Sequence, residues 1–239
     1  MKRFFYTLFI LMTVATSCKQ NTIKGFGSKA EAERNLKIED SINREKERIH
    51  LEMVEAGQER YKLKLQNQID QLKQELWSAR QKLDEINEFQ FGRLRSEKER
   101  QLATQNAKIG QLQSYIRGYE NILPKLGVFK THDFHKSPES LLNALFNLSK
   151  NRDFSNFQYL VDPYAEGDDD IYMFVIMDGA PNDIKNQMAS EFGNGRIMSE
   201  IKYFEDDKAM AEIAIGASSN RLEKMTLVNR MGSWYLYSF

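Results

Sequence analysis

The stretch Leu65–Ile86, LQNQIDQLKQELWSARQKLDEI, decides what kind of fold this chain can adopt. Its apolar residues fall at alternating intervals of four and three. They are Leu65, Ile69, Leu72, Leu76, Ala79, Leu83 and Ile86. This is the heptad spacing of a coiled-coil seam, in which one narrow stripe of a helix packs against a partner helix. The stretch therefore predicts a long helix with an apolar seam.

A second seam follows closer to the middle of the chain and is formed by Leu102, Ile109, Leu112 and Ile116. No proline occurs between Ser28 and Leu123, and Glu, Lys, Arg, Gln and Leu dominate the composition. These residue types lose little on entering a helix. We therefore predict one coiled-coil helix over residues 36–123.

The two seams are out of phase across Glu88–Leu94, which contains Phe89, Phe91 and Gly92. A phase slip in one continuous helix explains this, and so does a hairpin with two antiparallel arms. No second turn residue accompanies Gly92, which favours the continuous helix. Such a helix would be on the order of 130 Å long.

An apolar seam on a long helix implies a partner in water. A parallel homodimer is the simplest interpretation, and a trimer or a hetero-oligomer stays open. The alternative is a solvated single helix with i,i+4 ion pairs, which contribute only about 0.2–0.5 kcal/mol each. Trp77 stands beside Leu76, and we expect it to pack at the edge of the seam rather than to mark a contact site.

The N-terminus has the pattern of a secretory signal. Met1–Arg3 is basic, Phe4–Val14 is apolar apart from two threonines, and small residues precede Cys18. The apolar run is shorter than the roughly 20 residues that span a bilayer. Cys18 is also the only cysteine, so no disulfide can form within the chain.

Val14–Cys18, VATSC, resembles the lipobox of bacterial lipoproteins. The resemblance implies that a signal peptide (residues 1–17) is removed, that Cys18 is acylated, and that residues 18–35 form a lipidated tether. Several acyl chains make a stable anchor, since each buried CH₂ contributes about 0.8 kcal/mol. An ordinary signal peptide or an uncleaved anchor is the alternative. Because Lys19, not Asp, follows Cys18, we expect the outer membrane facing the periplasm.

Residues 124–136 are expected to be a solvated linker, and residues 137–239 a small α+β domain. Ser137 and Pro138 are typical of a helix start. A second short helix should begin at Asp153, and a third should cover Asn182–Phe192. Alternating residues and turn sequences then predict strands near 197–203, 210–215, 224–231 and 234–239. This order of elements predicts helices packed on an antiparallel sheet.

Three stretches of this domain resemble the nuclear transport factor two-like superfamily: Ser137-Pro138-Glu139, Asp153-Phe154 and Leu227–Leu236 (LVNRMGSWYL). The resemblance covers residues 137–239. It implies a curved sheet around a cone-shaped pocket, which some members use for ligands or catalysis and others for partners.

Nothing in the pattern predicts catalytic, metal or cofactor chemistry. The positions expected to face the cone, such as Ile201, Ile213, Met225 and Trp234, are apolar. His132 and His135 could supply only two metal ligands, whereas a zinc site needs three or four. The acidic run Glu166–Asp170 lacks the spacing of a calcium loop. A formal net charge of zero argues against a nucleic-acid partner.

These observations predict a non-enzymatic, lipid-anchored envelope protein. Its coiled coil would act as a spacer and dimeriser that presents a partner-binding domain to an unknown envelope protein. Two alternatives remain: a ligand-binding or catalytic head with the coiled coil serving only oligomerisation, or a rod that itself packs with helices of a larger assembly.

Overall fold

The computed structural model describes residues 29–89, 95–127 and 129–239. The chain divides into two units, Met1–Lys46 and Glu47–Phe239. In the first unit the described residues are helical, and residues 31–46 are exposed. The predicted signal peptide, the predicted lipidation site Cys18, and Phe91 and Gly92 lie outside the described residues.

Two helices occupy the region for which the sequence predicted one. Helix α1 is Lys29–Glu88 and helix α2 is Arg95–Ile122. Lys73 Nζ lies 2.7 Å from Glu120 Oε1, and Gln105 Nε2 donates to the Ala79 carbonyl oxygen over 2.7 Å. The later of the two α1 residues contacts the earlier of the two α2 residues, so the helices run antiparallel. The prediction of a continuous helix over 36–123 is therefore wrong, and these contacts indicate the two antiparallel arms that the sequence left as the alternative.

The predicted seam residues are buried within a single chain. Leu65, Ile69, Ile86, Leu112 and Ile116 are buried, while Leu72, Leu76, Leu83, Leu102 and Ile109 are half-buried. Leu65, Ile69 and Ile116 belong to the same core cluster as the C-terminal domain. The two seams lie on separate helices, so they are not required to keep one heptad phase.

The predicted linker 124–136 is only partly solvated, because it contributes buried residues although most of its described positions are exposed. One 3₁₀ turn, Leu123–Lys125, contains Pro124, and a second covers Asp133–Lys136. Between them Leu126 is buried, and His135 is only 2% exposed. Apolar and aromatic side chains in this segment explain why it folds onto the domain instead of staying in solvent.

The helices that follow match the sequence pattern closely. Helix α3 is Pro138–Asn151, and its N-terminus is capped by Ser137 Oγ, which accepts from the Ser140 N–H. A 3₁₀ helix covers Phe154–Tyr159. Short turns Asp169–Ile171, Tyr172–Val175 (helix α4) and Met177–Gly179 lead to helix α5, which is Asn182–Phe192.

Five antiparallel strands complete the domain: β1 (Arg196–Ile197), β2 (Lys202–Phe204), β3 (Lys208–Ile215), β4 (Arg221–Arg230) and β5 (Ser233–Ser238). The order is β1-β3-β4-β5, and β2 also pairs with β3. The single strand expected near 197–203 is thus split into β1 and β2. The α+β class is confirmed, with a long N-terminal helix followed by helices and a small antiparallel sheet.

Candidate functional site

The described residues contain one buried carboxylate, Asp162, and it pairs with Arg230. Val161 forms a parallel bridge with Leu236 of β5, which places Asp162 beside the edge strand of the sheet. Arg230 is the last residue of β4. Its Nε and Nη2 donate to the two carboxylate oxygens over 3.0 and 2.9 Å. Asp162 is 0% exposed, so this is a buried bidentate ion pair.

Every acceptor of Asp162 is occupied by a protein donor. The backbone N–H groups of Tyr164 and Glu166 donate to its carboxylate over 3.2 and 3.3 Å. Its carbonyl oxygen accepts from the Ala165 N–H over 3.0 Å and from the Tyr61 hydroxyl over 2.9 Å. Burial of a charge is tolerated when it is paired and hydrogen-bonded in this way.

Arg230 joins this carboxylate to the surface. Its Nη2 also lies 2.7 Å from Glu166 Oε2, and its guanidinium carbon lies 4.3 Å from the centre of the Tyr164 ring. Stacking on a tyrosine and bidentate pairing both use the planar guanidinium, which lysine cannot reproduce. We call Asp162, Arg230, Glu166, Tyr164 and Tyr61 the clamp.

Helix α1 contributes to the clamp through a close backbone approach. A Cβ added at Gly57 would lie 2.1 Å from the Pro163 carbonyl oxygen, so only glycine allows the helix this near to the 163–164 loop. His50 Nδ1 lies 2.7 Å from the Tyr164 hydroxyl, and the Arg60 guanidinium donates to the Tyr164 carbonyl oxygen. The part of helix α1 after Lys46 is therefore packed against the C-terminal domain.

Two titratable groups at the clamp, His50 and Tyr61, favour their neutral forms. Burial lowers the pKa of His50, and the charge of Arg230 lowers it further. Burial raises the pKa of Tyr61, and the nearby Asp162 carboxylate adds to this effect. Tyr61 thus remains a hydrogen-bond donor, and His50 remains uncharged beside the arginine.

A second cluster surrounds His135. Its Nδ1 accepts from the His132 backbone N–H over 2.8 Å, and its Nε2 lies 2.7 Å from the Tyr159 carbonyl oxygen. A carbonyl oxygen can only accept, so Nε2 carries the hydrogen and the ring is neutral. Burial lowers the pKa of His135 accordingly. The ring packs 4.5 Å from Tyr235, centre to centre.

The cavities next to these clusters are small or open. A cavity of about 10 Å³ is lined by Tyr61, Phe129, Tyr159 and Tyr235 among others, which is room for about one water molecule. A second, open cavity of about 350 Å³ lies beside the start of helix α5. Its lysines, Lys125 and Lys185, both contact Asp178.

The structure does not bring the other residues that the sequence singled out together into one site. In the acidic run, Glu166 pairs with Arg230 and Asp169 with Lys64. No three His, Cys, Asp or Glu residues come close enough for a metal ion anywhere in the described part of the chain. Trp77 is 62% exposed, so the prediction that it packs at the seam edge is wrong.

Sequence reasoning missed Asp162 and Arg230. A signal was present, because Asp162 stands between Val161 and Pro163 in an otherwise apolar stretch, where an unpaired charge would be costly. Arg230 alternates with Val228 along β4, which places both on one face. Only the tertiary structure brings the two charges together.

Comparisons of this chain with models of protein families, with curated proteins and with solved structures found no match. The resemblances to lipoprotein signals and to the nuclear transport factor two-like superfamily therefore remain predictions. Among the residues that the structure describes, no helix combines the length and hydrophobicity needed to cross a membrane.

Proposed function

We propose that this protein is a non-enzymatic lipoprotein of the cell envelope, anchored through Cys18, that presents its C-terminal unit to a protein partner. The residues from Cys18 to the start of that unit serve as the tether. Helices α1 and α2 act as a supporting hairpin for the α+β domain rather than as a separate rod.

The proposal that the protein is not an enzyme rests on Asp162, because protein donors occupy all the hydrogen-bond acceptors of its carboxylate. A general acid or base must exchange a proton with a substrate within hydrogen-bond reach. The Asp162 carboxylate instead accepts four hydrogen bonds from Arg230, Tyr164 and Glu166, and it is fully buried. This buried ion-pair cluster therefore supports structure, and a role through the surface is the better proposal.

The anchoring part rests on the sequence of the first 18 residues. A basic start, an apolar run and small residues before Cys18 are the features of an exported, lipid-modified chain. We place the protein at the outer membrane, facing the periplasm. Homo-oligomerisation through the heptad seam is not part of this proposal, because those side chains are buried or half-buried within one chain.

Intact mass after membrane extraction tests the anchor. We expect a mature species that begins at Cys18 and carries the added mass of several acyl chains. The Cys18→Ala variant should lack this increment and should leave the membrane fraction. An unmodified wild-type chain, cleaved or uncleaved, would contradict lipid anchoring.

A further inference from the structure

Part of one face of the sheet carries exposed apolar side chains, whereas Ala214 and Val228 on the same face are buried. Strand register places Lys202, Met210 and Thr226 side by side, and Leu222 beside Ala214. Met198 continues β1 and donates through its N–H to the Glu212 carbonyl oxygen. The opposite face of the same strands holds the buried Ala211, Ile213, Met225 and Leu227.

Three apolar members of this face are exposed. Leu222 is 56% exposed, Met198 is 43% exposed and Phe204 is 39% exposed. Met210 lies among them and is half-buried. Exposed apolar patches bordered by charges mark interaction sites, and methionine adapts its shape to a partner.

The charges on this face are mostly positive. Arg196, Lys202, Lys208 and Lys224 lie on it, together with Glu212, which stands directly opposite Lys224 in the strand register. Arg230, at the end of β4, also lies on this face but is paired with Asp162 and Glu166. Lys208 is paired with Glu205 over 2.9 Å. Lys202 and Lys224 are exposed, and no described carboxylate lies within ion-pair distance of either. We call Met198, Lys202, Phe204, Met210, Leu222 and Lys224 the docking face.

We propose that the docking face binds an acidic, amphipathic segment of a partner protein, with apolar residues on Leu222 and the methionines and carboxylates on Lys202 and Lys224. Complementary charge sets orientation and the rate of encounter, while the apolar core gives affinity.

Charge also argues against two other occupants. A second copy of this face would oppose its own lysines. The chain's segment 18–28, KQNTIKGFGS after Cys18, carries Lys19 and Lys24 and no acid, so it is repelled as well. A foreign acidic segment is the occupant that the surface favours.

This inference rests on the proposed partner-binding function and names its surface. The test uses the full chain with Cys18→Ala, so its outcome does not depend on lipidation. The probe is a fluorescein-labelled peptide in which glutamate and leucine alternate, and its binding is read by fluorescence anisotropy. A peptide with lysine in place of glutamate should not bind.

Two variants locate the binding site. Lys202→Glu with Lys224→Glu, and separately Met198→Ser with Leu222→Ser, should each weaken the peptide's binding by about tenfold or more. The matched controls are Lys82→Glu with Lys108→Glu, and Leu63→Ser, at exposed positions on the hairpin helices. Circular dichroism and urea melts confirm that each variant is folded.

The same proteins are mixed with vesicles of phosphatidylglycerol. Peptide binding that is lost in the docking-face variants and kept in the controls supports the proposal. Absent peptide binding, equal losses in the control variants, or a sensitivity to Lys202 and Lys224 seen only with vesicles would overturn it. The last result would assign the face to a lipid surface. None of these results bears on whether Cys18 is acylated.

Discussion

Gln105 of helix α2 donates a hydrogen bond of 2.7 Å to the backbone carbonyl oxygen of Ala79 in helix α1, and its side chain is buried. Together with the Lys73–Glu120 ion pair, this contact fixes the register of an antiparallel hairpin. A heptad seam that suggests association between chains is thus satisfied inside one chain. Apolar residues of both helices pack on the C-terminal domain. The hydrogen bond from Tyr61 to the Asp162 carbonyl oxygen links helix α1 to the clamp.

Two glycines of helix α2 should respond oppositely to alanine. A Cβ at Gly118 would lie 1.9 Å from the Gly179 carbonyl oxygen, whereas a Cβ at Gly110 meets nothing within 4 Å. Gly118→Ala should destabilise the protein by about 1–3 kcal/mol through overpacking. Gly110→Ala should stabilise it by up to about 1 kcal/mol through helix propensity. Urea unfolding measures both, and equal effects would argue against this packing.

Removal of Arg230 should be far more costly than removal of a surface arginine. Arg230→Met leaves Asp162 buried and unpaired, which typically costs about 3–5 kcal/mol. Adding Asp162→Asn should recover part of that loss, because the neutral amide oxygen can still accept from the Tyr164 N–H. Arg95→Ala, at a pair with Glu99 whose side chains are 90% and 66% exposed, serves as the control and should leave stability unchanged.

Tyr61→Phe should lower the free energy of unfolding by about 1 kcal/mol, because the buried hydroxyl donates to the Asp162 carbonyl oxygen. The matched control is Tyr203→Phe, since Tyr203 is 62% exposed. Urea melts at neutral pH measure the difference. An unchanged Tyr61→Phe variant would show that helix α1 does not depend on this bond.

Acid should destabilise the protein through His135. Burial holds its folded-state pKa below the value of 6.5 that an unfolded histidine has. The unfolded chain therefore binds more protons below about pH 6.5, and stability falls as the pH falls from that value through the folded-state pKa. His50 adds to this effect in the same direction.

The check is the melting temperature between about pH 7 and pH 5, compared for the wild type and His135→Gln. The variant should start less stable and fall less steeply over this range. If the melting temperatures of the two proteins fell by the same amount over this range, a group other than His135 would be responsible for the acid sensitivity.

Local signals in the sequence were sufficient for much of the fold. The cap at Ser137, the helix Asn182–Phe192 and three of the strands follow from capping, periodicity and turn residues close in the chain. The direction of the second seam could not be predicted, because heptad spacing is the same for a partner in another chain and for an antiparallel arm. The clamp was missed because Asp162 and Arg230 are 68 residues apart.

The measurement that tests the central structural claim most directly is cross-linking between the two arms. In a Cys18→Ala background, Lys73→Cys and Glu120→Cys are treated with a short bis-maleimide. The hairpin predicts a cross-link within one chain, seen as a faster-migrating monomer, and none in either single variant. In a continuous helix these positions would be about 70 Å apart. Absence of the internal cross-link, or dimers formed by Lys73→Cys alone, would contradict the account.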